Sequence, residues 1–250
     1  MLEMQNLSKS FDTKIILDNV NLIIPDHKIV SVIGMSGTGK SVLLKTIIGL
    51  LTPDNGKIIL DGVDITDYTE QQYNHFVRPK MSMVFQEGAL WDSLTVGENI
   101  DLALKIQKHL SKQERRERIS ESLEMVGLAN IKNLYTEELS GGMIKRVAIA
   151  RAIATQPKYL LYDEPTTGLD PILSNMINDL IVNINIRLGT TSLIISHDIP
   201  GVEKISNLVA MLYMGKIVHT CSANDLWQQD NEIFNQFIHG KAFNNESKGK

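Results

Sequence analysis

The sequence is poor in several features that would define a protein class at once. It contains a single cysteine, Cys221, among 250 residues, which excludes a disulfide framework within the chain and a zinc site built from cysteines. No apolar run approaches the roughly 18–20 residues that cross a bilayer. The first six residues have neither a basic start nor an apolar core, so no signal peptide is expected. These absences predict a soluble, cytoplasmic protein.

A strong excess of either charge is also missing. The chain has 25 Lys and Arg against 29 Asp and Glu, a net charge of −4, and its pI is near 5.9. A nucleic-acid binder usually carries a basic face, so no nucleic-acid partner is expected. Hydrophobic residues make up 43% of the chain, which excludes intrinsic disorder and allows one large domain or two lobes.

Strand and helix patterns alternate along the chain. The stretch 29–33 is almost continuously apolar, as in a buried parallel strand, and a helix is predicted after it over 41–48. Residues 90–155 are predicted to be mainly helical, with two Ser/Thr-x-x-Glu capping boxes. Other short apolar runs predict strands at 15–17, 22–24, 57–60, 159–162 and 192–195, and a final hairpin at 208–212 and 216–218. This alternation predicts an α/β fold with a mostly parallel sheet.

A glycine-rich motif begins where the strand at 29–33 ends. It matches the phosphate-binding pattern G-x-x-x-x-G-K-[ST] and consists of Gly34, Met35, Ser36, Gly37, Thr38, Gly39, Lys40 and Ser41. Its glycines let successive N–H groups turn toward phosphate oxygens, and the next helix directs its positive dipole end there. We expect Lys40 to neutralise the β- and γ-phosphates and the Ser41 hydroxyl to bind Mg²⁺.

Two carboxylates, Asp163 and Glu164, follow the apolar run at 159–162. A central strand of such a sheet delivers its last residue to the phosphate crevice. We therefore expect Asp163 to hold Mg²⁺ and Glu164 to polarise the water that attacks the γ-phosphate. Gln86 and His197 also follow apolar runs, and His197 is expected to take part in catalysis.

A second anion-binding pattern precedes the helix predicted at 144–154. The residues Leu139, Ser140, Gly141, Gly142 and Met143 would offer free N–H groups and a hydroxyl to a phosphate. One chain would then have two phosphate-binding helix ends. Either the helical segment folds back over one nucleotide, or the second end serves a partner's nucleotide.

The ordered motifs resemble those of the ATP-binding cassette ATPases, the nucleotide-binding subunits of ABC transporters. The resemblance runs from the phosphate loop at 34–41 through Gln86, 139–143 and 159–164 to the segment 167–170 and His197. It covers about residues 1–240 and implies a P-loop NTPase that hydrolyses ATP.

The resemblance also implies how this ATPase domain is organised. A core with an N-terminal antiparallel β-subdomain is expected over 1–85 and 156–240, and an inserted helical subdomain over 87–155. The remaining residues, 241–250, are expected to form a polar tail.

Roles for single residues follow from the same resemblance. Phe11 corresponds to the aromatic residue that stacks on adenine, and Gln86 to the residue that contacts Mg²⁺ and senses the permease. Asp170 lies in the loop that crosses the dimer, and His197 corresponds to the residue that contacts the γ-phosphate. Val42 stands where threonine is commoner, which removes one hydroxyl near the α-phosphate. ATP and Mg²⁺ are the implied cofactors.

In this family two cassettes pair head to tail, so that each Ser-Gly-Gly signature closes over the other copy's ATP. The resemblance therefore implies a homodimer in which Ser140, Gly141, Gly142 and Met143 act in trans. Integral-membrane permease subunits are the implied partners, and their coupling helix is expected in a groove formed by residues 76–91. The chain is then expected on the cytoplasmic face of the inner membrane.

Two details of the sequence indicate which branch of the ABC ATPase family the chain resembles. Met143 stands where most members have Gln, and the stretch 85–96 resembles the Q-loop of ATPases serving Mce/Mla-type lipid transporters. Phospholipid is therefore the expected cargo, with an Mce-domain protein as a further partner. The alternatives are another cargo, such as a nucleotide or an amino acid, and a cell-division ATPase of similar size.

Overall fold

The strands and helices of the chain are described by a computed structural model for residues 1–106 and 110–241. The strands there are β1 Leu2–Phe11, β2 Lys14–Ile24, β3 Ile29–Ile33, β4 Asn55–Leu60, β5 Val63–Asp64, β6 Met81–Val84, β7 Tyr159–Asp163, β8 Thr191–Ile195, β9 Leu208–Tyr213 and β10 Lys216–Ser222. The α-helices there are α1 Lys40–Ile47, α2 Glu70–Gln72, α3 Val96–Lys105, α4 Lys112–Met125, α5 Gly141–Ala154, α6 Pro171–Leu188, α7 Ile199–Ile205 and α8 Glu232–Ile238. A π-helical turn, Tyr73–Val77, follows α2, and 3-10 turns span Thr136–Glu138 and Ala223–Asp225.

The strands form two sheets. A four-stranded antiparallel sheet has the order β2-β1-β4-β5, and a six-stranded sheet has the order β10-β9-β3-β8-β7-β6. In the larger sheet every neighbouring pair is parallel except β9 with β10. Every residue of β3, β7 and β8 is buried, as the continuous apolar runs predict for strands covered on both faces.

Side-chain alternation along β7 assigns its two faces to different cores. Leu161 packs into the core shared with the antiparallel sheet and α1, whereas Leu160 and Tyr162 pack into the core shared with α5 and α6. The central sheet therefore lies between the small sheet and α1 on one side and α5 and α6 on the other.

The described residues between β6 and β7 contain the helices α3, α4 and α5, in the region predicted to be mainly helical. Both predicted capping boxes are present. Thr95 and Glu98 form the one at the N-terminus of α3, and Ser111 and Glu114 form the one at the N-terminus of α4. These reciprocal hydrogen bonds satisfy N–H groups that the first helical turn leaves free. The buried faces of both helices pack against α5 through Ile100, Leu104, Ile119, Leu123 and Val147.

Several elements differ from the sequence-based expectations. Strand β1 has no continuous apolar run, because polar residues interrupt its pattern, but Leu2, Met4 and Leu7 are buried against β2 and β4. Helix α5 starts at Gly141 instead of 144, since the Ser140 side chain caps it by accepting from Met143 N at 3.3 Å. Helix α8 was missed, although Phe234 is fully buried. Of the predicted polar tail, residues 242–250 lie outside the described residues.

Membrane-spanning helices were not expected from the sequence. Among residues 1–106 and 110–241, no helix is both long enough and apolar enough to cross a bilayer.

Candidate functional site

Three parts of the predicted site lie at the carboxyl ends of strands in the larger sheet. The glycine-rich loop follows β3, Asp163 ends β7, and His197 lies two residues beyond β8. In the sheet order β3, β8 and β7 are consecutive neighbours, and Asp163 pairs with Ile195 at the same level. The carboxyl ends of these parallel strands therefore converge, as in other open α/β sheets that bind ligands there.

Glycine is required at both ends of the phosphate-binding loop. Gly34 has φ +154°, and a Cβ there would lie 2.3 Å from the carbonyl oxygen of Leu212. Gly39 has φ +100° at the N-cap of α1, and a Cβ there would lie 2.8 Å from Ile16. Any side chain at these positions would displace backbone or strand packing, so the loop keeps its curvature only with glycine.

Lys40 is 6% exposed and crosses beneath the loop. Its Nζ donates to the carbonyl oxygens of Gly34 at 2.8 Å and Met35 at 2.9 Å, and lies 3.8 Å from Glu164 Oε1. Burial lowers the pKa of Lys40, and the carboxylates of Glu164 and Asp163 oppose that effect. A desolvated ammonium group at a helix N-terminus favours an anion such as a phosphate.

The Ser41 hydroxyl donates to Asp163 Oδ1 at 2.9 Å. Asp163 is 6% exposed, and its burial raises its pKa, while the Ser41 hydrogen bond lowers it and Glu164 raises it further. A buried carboxylate beside a hydroxyl supplies the oxygen ligands that Mg²⁺ prefers, usually together with phosphate oxygens and water. The donor set therefore fits Mg²⁺, and Ser41 and Asp163 are the residues that would hold it. Within the described residues, no three His, Cys, Asp or Glu side chains cluster to form a metal site by themselves.

Glu164 contacts His197 and Thr167. His197 Nδ1 lies 2.6 Å from Glu164 Oε2, and the Thr167 hydroxyl donates to the same oxygen at 3.2 Å. The Glu164 backbone has φ +50°, a left-handed conformation that costs a non-glycine residue about 1–3 kcal/mol and is concentrated at functional sites. The Glu164 carboxylate is thus held at the opening, close to the loop and to His197.

A cleft of about 460 Å³ opens between these residues. Ten of the predicted residues line it, and they are Phe11, Ser36, Gly37, Gly39, Lys40, Ser41, Val42, Gln86, Glu164 and His197. Gly34, Met35, Thr38 and Asp163 support the cleft from the loop and from β7 without lining it. Phe11 is 44% exposed at the end of β1, and the Lys9 ammonium group lies 5.6 Å from the centre of its ring.

The residues of the second anion-binding pattern lie elsewhere. Ser140, Gly141, Gly142 and Met143 form the N-terminal end of α5 and do not line the cleft. They lie beside the start of α6, where Asp170 Oδ1 accepts from Ile172 N and Leu173 N at 2.9 Å, and Leu173 approaches Gly142. The structure therefore separates, within one chain, the two helix ends that the sequence predicts to bind phosphate.

The family model described as ABC transporter matches residues 17–167. The chain is an ATP-binding subunit of the ABC transporter family. A solved dimer, the post-hydrolysis state of the ATP-binding cassette MJ0796 bound to ADP and Pi, has a TM-score of 0.82 and 33% sequence identity to this ABC subunit. The similarity covers 89% of this chain and 99% of that one, which confirms the P-loop ABC ATPase fold.

Relatives with different cargoes match nearly all of this ABC subunit. The methionine import ATP-binding protein MetN of Haemophilus ducreyi is 40% identical over 95% of this chain and 70% of its own length. The intermembrane phospholipid transport system ATP-binding protein MlaF of Haemophilus influenzae is 36% identical over 97% and 91%. The probable ribonucleotide transport ATP-binding protein mkl of Mycobacterium bovis is 35% identical over 96% and 67%. The family is therefore shown, while these relatives do not single out the Mla branch or one cargo.

Two residues of the cleft of this ABC subunit were not assigned from the sequence. Ile16 lines the cleft from β2, and Thr167 donates to the Glu164 carboxylate. Thr167 could have been found from its position three residues after Glu164, a spacing at which a turn brings side chains together. Ile16 carries no such signal, because its place depends on how β2 lies against the loop.

Proposed function

We propose that the chain hydrolyses ATP and that this reaction drives transport through a membrane permease. The observation that carries the proposal is the cleft itself, in which Lys40 and Ser41 face Glu164 and His197. The loop N–H groups and Lys40 would hold the β- and γ-phosphates, and Phe11 would stack on adenine. Glu164 would then take the proton of the attacking water, with His197 oriented toward the γ-phosphate through its contact with Glu164.

Mg²⁺ belongs to this proposal as the cofactor held by Ser41 and Asp163, with Gln86 facing the same cleft. When bound, it would neutralise charge that develops on the phosphate oxygens. The Ser41 hydroxyl donates to Asp163 Oδ1, so the two oxygen ligands lie side by side.

The separation of the two helix ends supports a dimer. Because Ser140, Gly141, Gly142 and Met143 lie outside the cleft of their own chain, we infer that they bind ATP held by a second copy. Asp170 at the start of α6 lies beside the signature, so it would cross the same interface. We also propose that residues 1–240 form one ATPase domain, with 87–155 as its helical subdomain.

We further propose a phospholipid cargo of the Mce/Mla type, an Mce-domain partner and a position on the cytoplasmic face of the inner membrane. Met143 and the Gly88-Ala89-Leu90 sequence support this branch. Phe76 and Trp91 are 52% and 61% exposed, and such surface aromatic residues suit a groove for a permease coupling helix. The second candidate is an importer of an amino acid, which the 40% identity to the methionine import relative favours.

Substitution of the proposed base tests the hydrolysis mechanism. Glu164→Gln keeps the size of the side chain but removes the proton acceptor, so turnover should fall by about 10²–10⁴-fold. ATP affinity should stay close to that of the wild type, and ATP should hold the variant as a dimer in size-exclusion chromatography. The control is Glu203→Gln on α7, an exposed carboxylate outside the cleft, which should keep normal turnover. Wild-type turnover in Glu164→Gln would refute the assigned base.

Affinity purification from solubilised membranes tests the cargo class. The lipid proposal predicts co-purification of a multi-span permease and an Mce-domain protein, identified by mass spectrometry. Recovery of a permease with an amino-acid-binding protein would support the importer instead. Recovery of septal proteins would contradict both transport proposals.

A further inference from the structure

Two cations of the signature helix α5 bind the main chain that follows Gln86. Lys145 Nζ donates to the carbonyl oxygen of Gln86. One turn and a half further along α5, the Arg151 guanidinium donates to the carbonyl oxygens of Gly88, at 2.8 Å, and Ala89. The segment 86–89 is therefore attached to the helix that carries the signature, although it follows a strand of the core sheet.

Lys145 is an unusual residue to bury for packing alone. It is 8% exposed, and burial lowers its pKa, while the carboxylates of Glu87 and Glu164 oppose that effect. The Lys145 ammonium group donates to a main-chain carbonyl, whereas the Glu164 carboxylate forms its ion pairs with Lys40 and His197. A buried ammonium group needs hydrogen-bond acceptors to offset its lost hydration, and the Gln86 carbonyl oxygen is such an acceptor.

The backbone of the segment also needs support. Ala89 has φ +49° directly after Gly88 at φ +77°, and an L-residue such as alanine is unfavourable in this conformation. Gly88 packs against α5, where a Cβ would lie 3.1 Å from Ile144. The Arg151 guanidinium donates to the carbonyl oxygens of Gly88 and Ala89. These hydrogen bonds stabilise a backbone conformation that is unfavourable for alanine.

We propose that Lys145 is a positioning residue that holds the main chain of Gln86 so that the Gln86 side chain stays in the ATP cleft. Arg151 secures the following turn to the same helix, so the segment 86–89 moves with α5 and its signature. The inference rests on the proposed function, because Gln86 matters only if ATP and Mg²⁺ occupy the cleft. Helix α5 would then have two roles, because it carries the signature and also holds the segment 86–89.

Three variants of the full chain test this role. Lys145→Met removes the donor and keeps the length of the side chain, whereas Lys145→Arg restores a donor. Lys204→Met is the control, because Lys204 is exposed and pairs only with Asp179 among the described residues. The measurements are ATP turnover, the Kd of a fluorescent ATP analogue, and hydrogen exchange of peptides covering 86–91, with β8 as internal reference.

Lys145→Met should lower kcat by about tenfold, since small displacements of a catalytic group are costly, and should leave the Kd within about twofold. Exchange in 86–91 should rise about tenfold while β8 stays protected. Lys145→Arg should recover at least half of the lost turnover, and Lys204→Met should match the wild type. Wild-type kcat in Lys145→Met, or faster exchange in β8 as well, would overturn the proposal.

The two proposals fail in different ways. If the wild type binds no ATP analogue and has no turnover, the proposed function is wrong. The exchange comparison still decides whether Lys145 holds the main chain of Gln86, because it needs no activity. Equal exchange in wild type and Lys145→Met would overturn the positioning role even in an active ATPase.

Discussion

Asp61 joins the turn between β4 and β5 to the start of β7, and its replacement by asparagine tests how this junction is held. The Tyr159 hydroxyl donates to Asp61 Oδ1 at 2.6 Å, Lys158 forms an ion pair with the same oxygen, and Lys80 lies 3.5 Å from Oδ2. Tyr159 is 1% exposed. Its phenol therefore has little access to water if the carboxylate is removed.

The size of the effect of Asp61→Asn follows from these contacts. Hydrogen bonds to a charged group contribute about 1.5–3 kcal/mol to the free energy of unfolding. The Asp61 side chain is 26% exposed and Lys158 also lies 3.3 Å from Asp26, so solvent screening and this second partner reduce the expected cost to about 1–2 kcal/mol. With an unfolding entropy of about 2 cal/mol/K per residue, the 250 residues convert this cost into a Tm lowered by about 2–4 °C.

The same contacts predict a dependence on pH. Partial burial alone raises the pKa of Asp61, but hydrogen bonds from Lys158 and Tyr159 outweigh it and hold the pKa well below its usual range. A lowered folded-state pKa adds stability above the unfolded value of about 3.9, and this stability is lost as the pH falls. The wild type should lose stability below about pH 5, and Asp61→Asn should lose less.

Urea unfolding followed by circular dichroism, at pH 7.5 and at steps below pH 5, measures both effects. The matched control is Asp179→Asn, in which an exposed ion pair with Lys204 at 2.6 Å is lost. That change should cost less than about 0.5 kcal/mol. If Asp61→Asn were as stable as the wild type at pH 7.5 and equally sensitive to acid, the assigned junction would be wrong.

Two further substitutions separate ligand binding from folding. Ser41→Ala removes the hydroxyl that donates to Asp163, so the apparent Mg²⁺ affinity in a titration of ATPase activity should fall by about 10–100-fold. Unchanged affinity would contradict the assigned ligand. Gly141→Ala should leave Tm unchanged, because a Cβ there meets nothing within 4 Å, but should lower ATP turnover by about 10²-fold if the signature closes over a partner's ATP. Normal turnover in this variant would argue against the dimer.

The features that could be predicted from the sequence are formed by residues that lie close together in the chain. Gly34, Gly39 and Lys40 lie within one short loop, and the capping boxes at 95–98 and 111–114 span four residues each. The chemistry of these segments depends on neighbours in the chain, and the structure has the predicted helix starts at both boxes. Helix α8 was not predicted, because its apolar residues become interpretable only against the elements they cover.

The contacts between residues of the cleft could not be predicted from local sequence. The sequence indicated that Glu164 and His197 each follow a buried strand, but their contact at 2.6 Å depends on β7 and β8 being neighbours. The place of Ile16, and the attachment of Gln86 to Lys145, join residues that are far apart in the chain. A local sequence pattern does not predict which distant residues come into contact.

Local sequence was therefore enough to predict three features of this ABC subunit: a glycine-rich loop after a strand, a lysine and a serine at a helix start, and two carboxylates at a strand end. Which side chains meet at this site depends on the tertiary structure: Asp163 accepts from Ser41, Glu164 contacts His197, and the signature lies apart from the cleft. The physical reason is that strand order and helix packing are set by burial of apolar faces between distant segments, whereas loop and cap chemistry is set by adjacent residues.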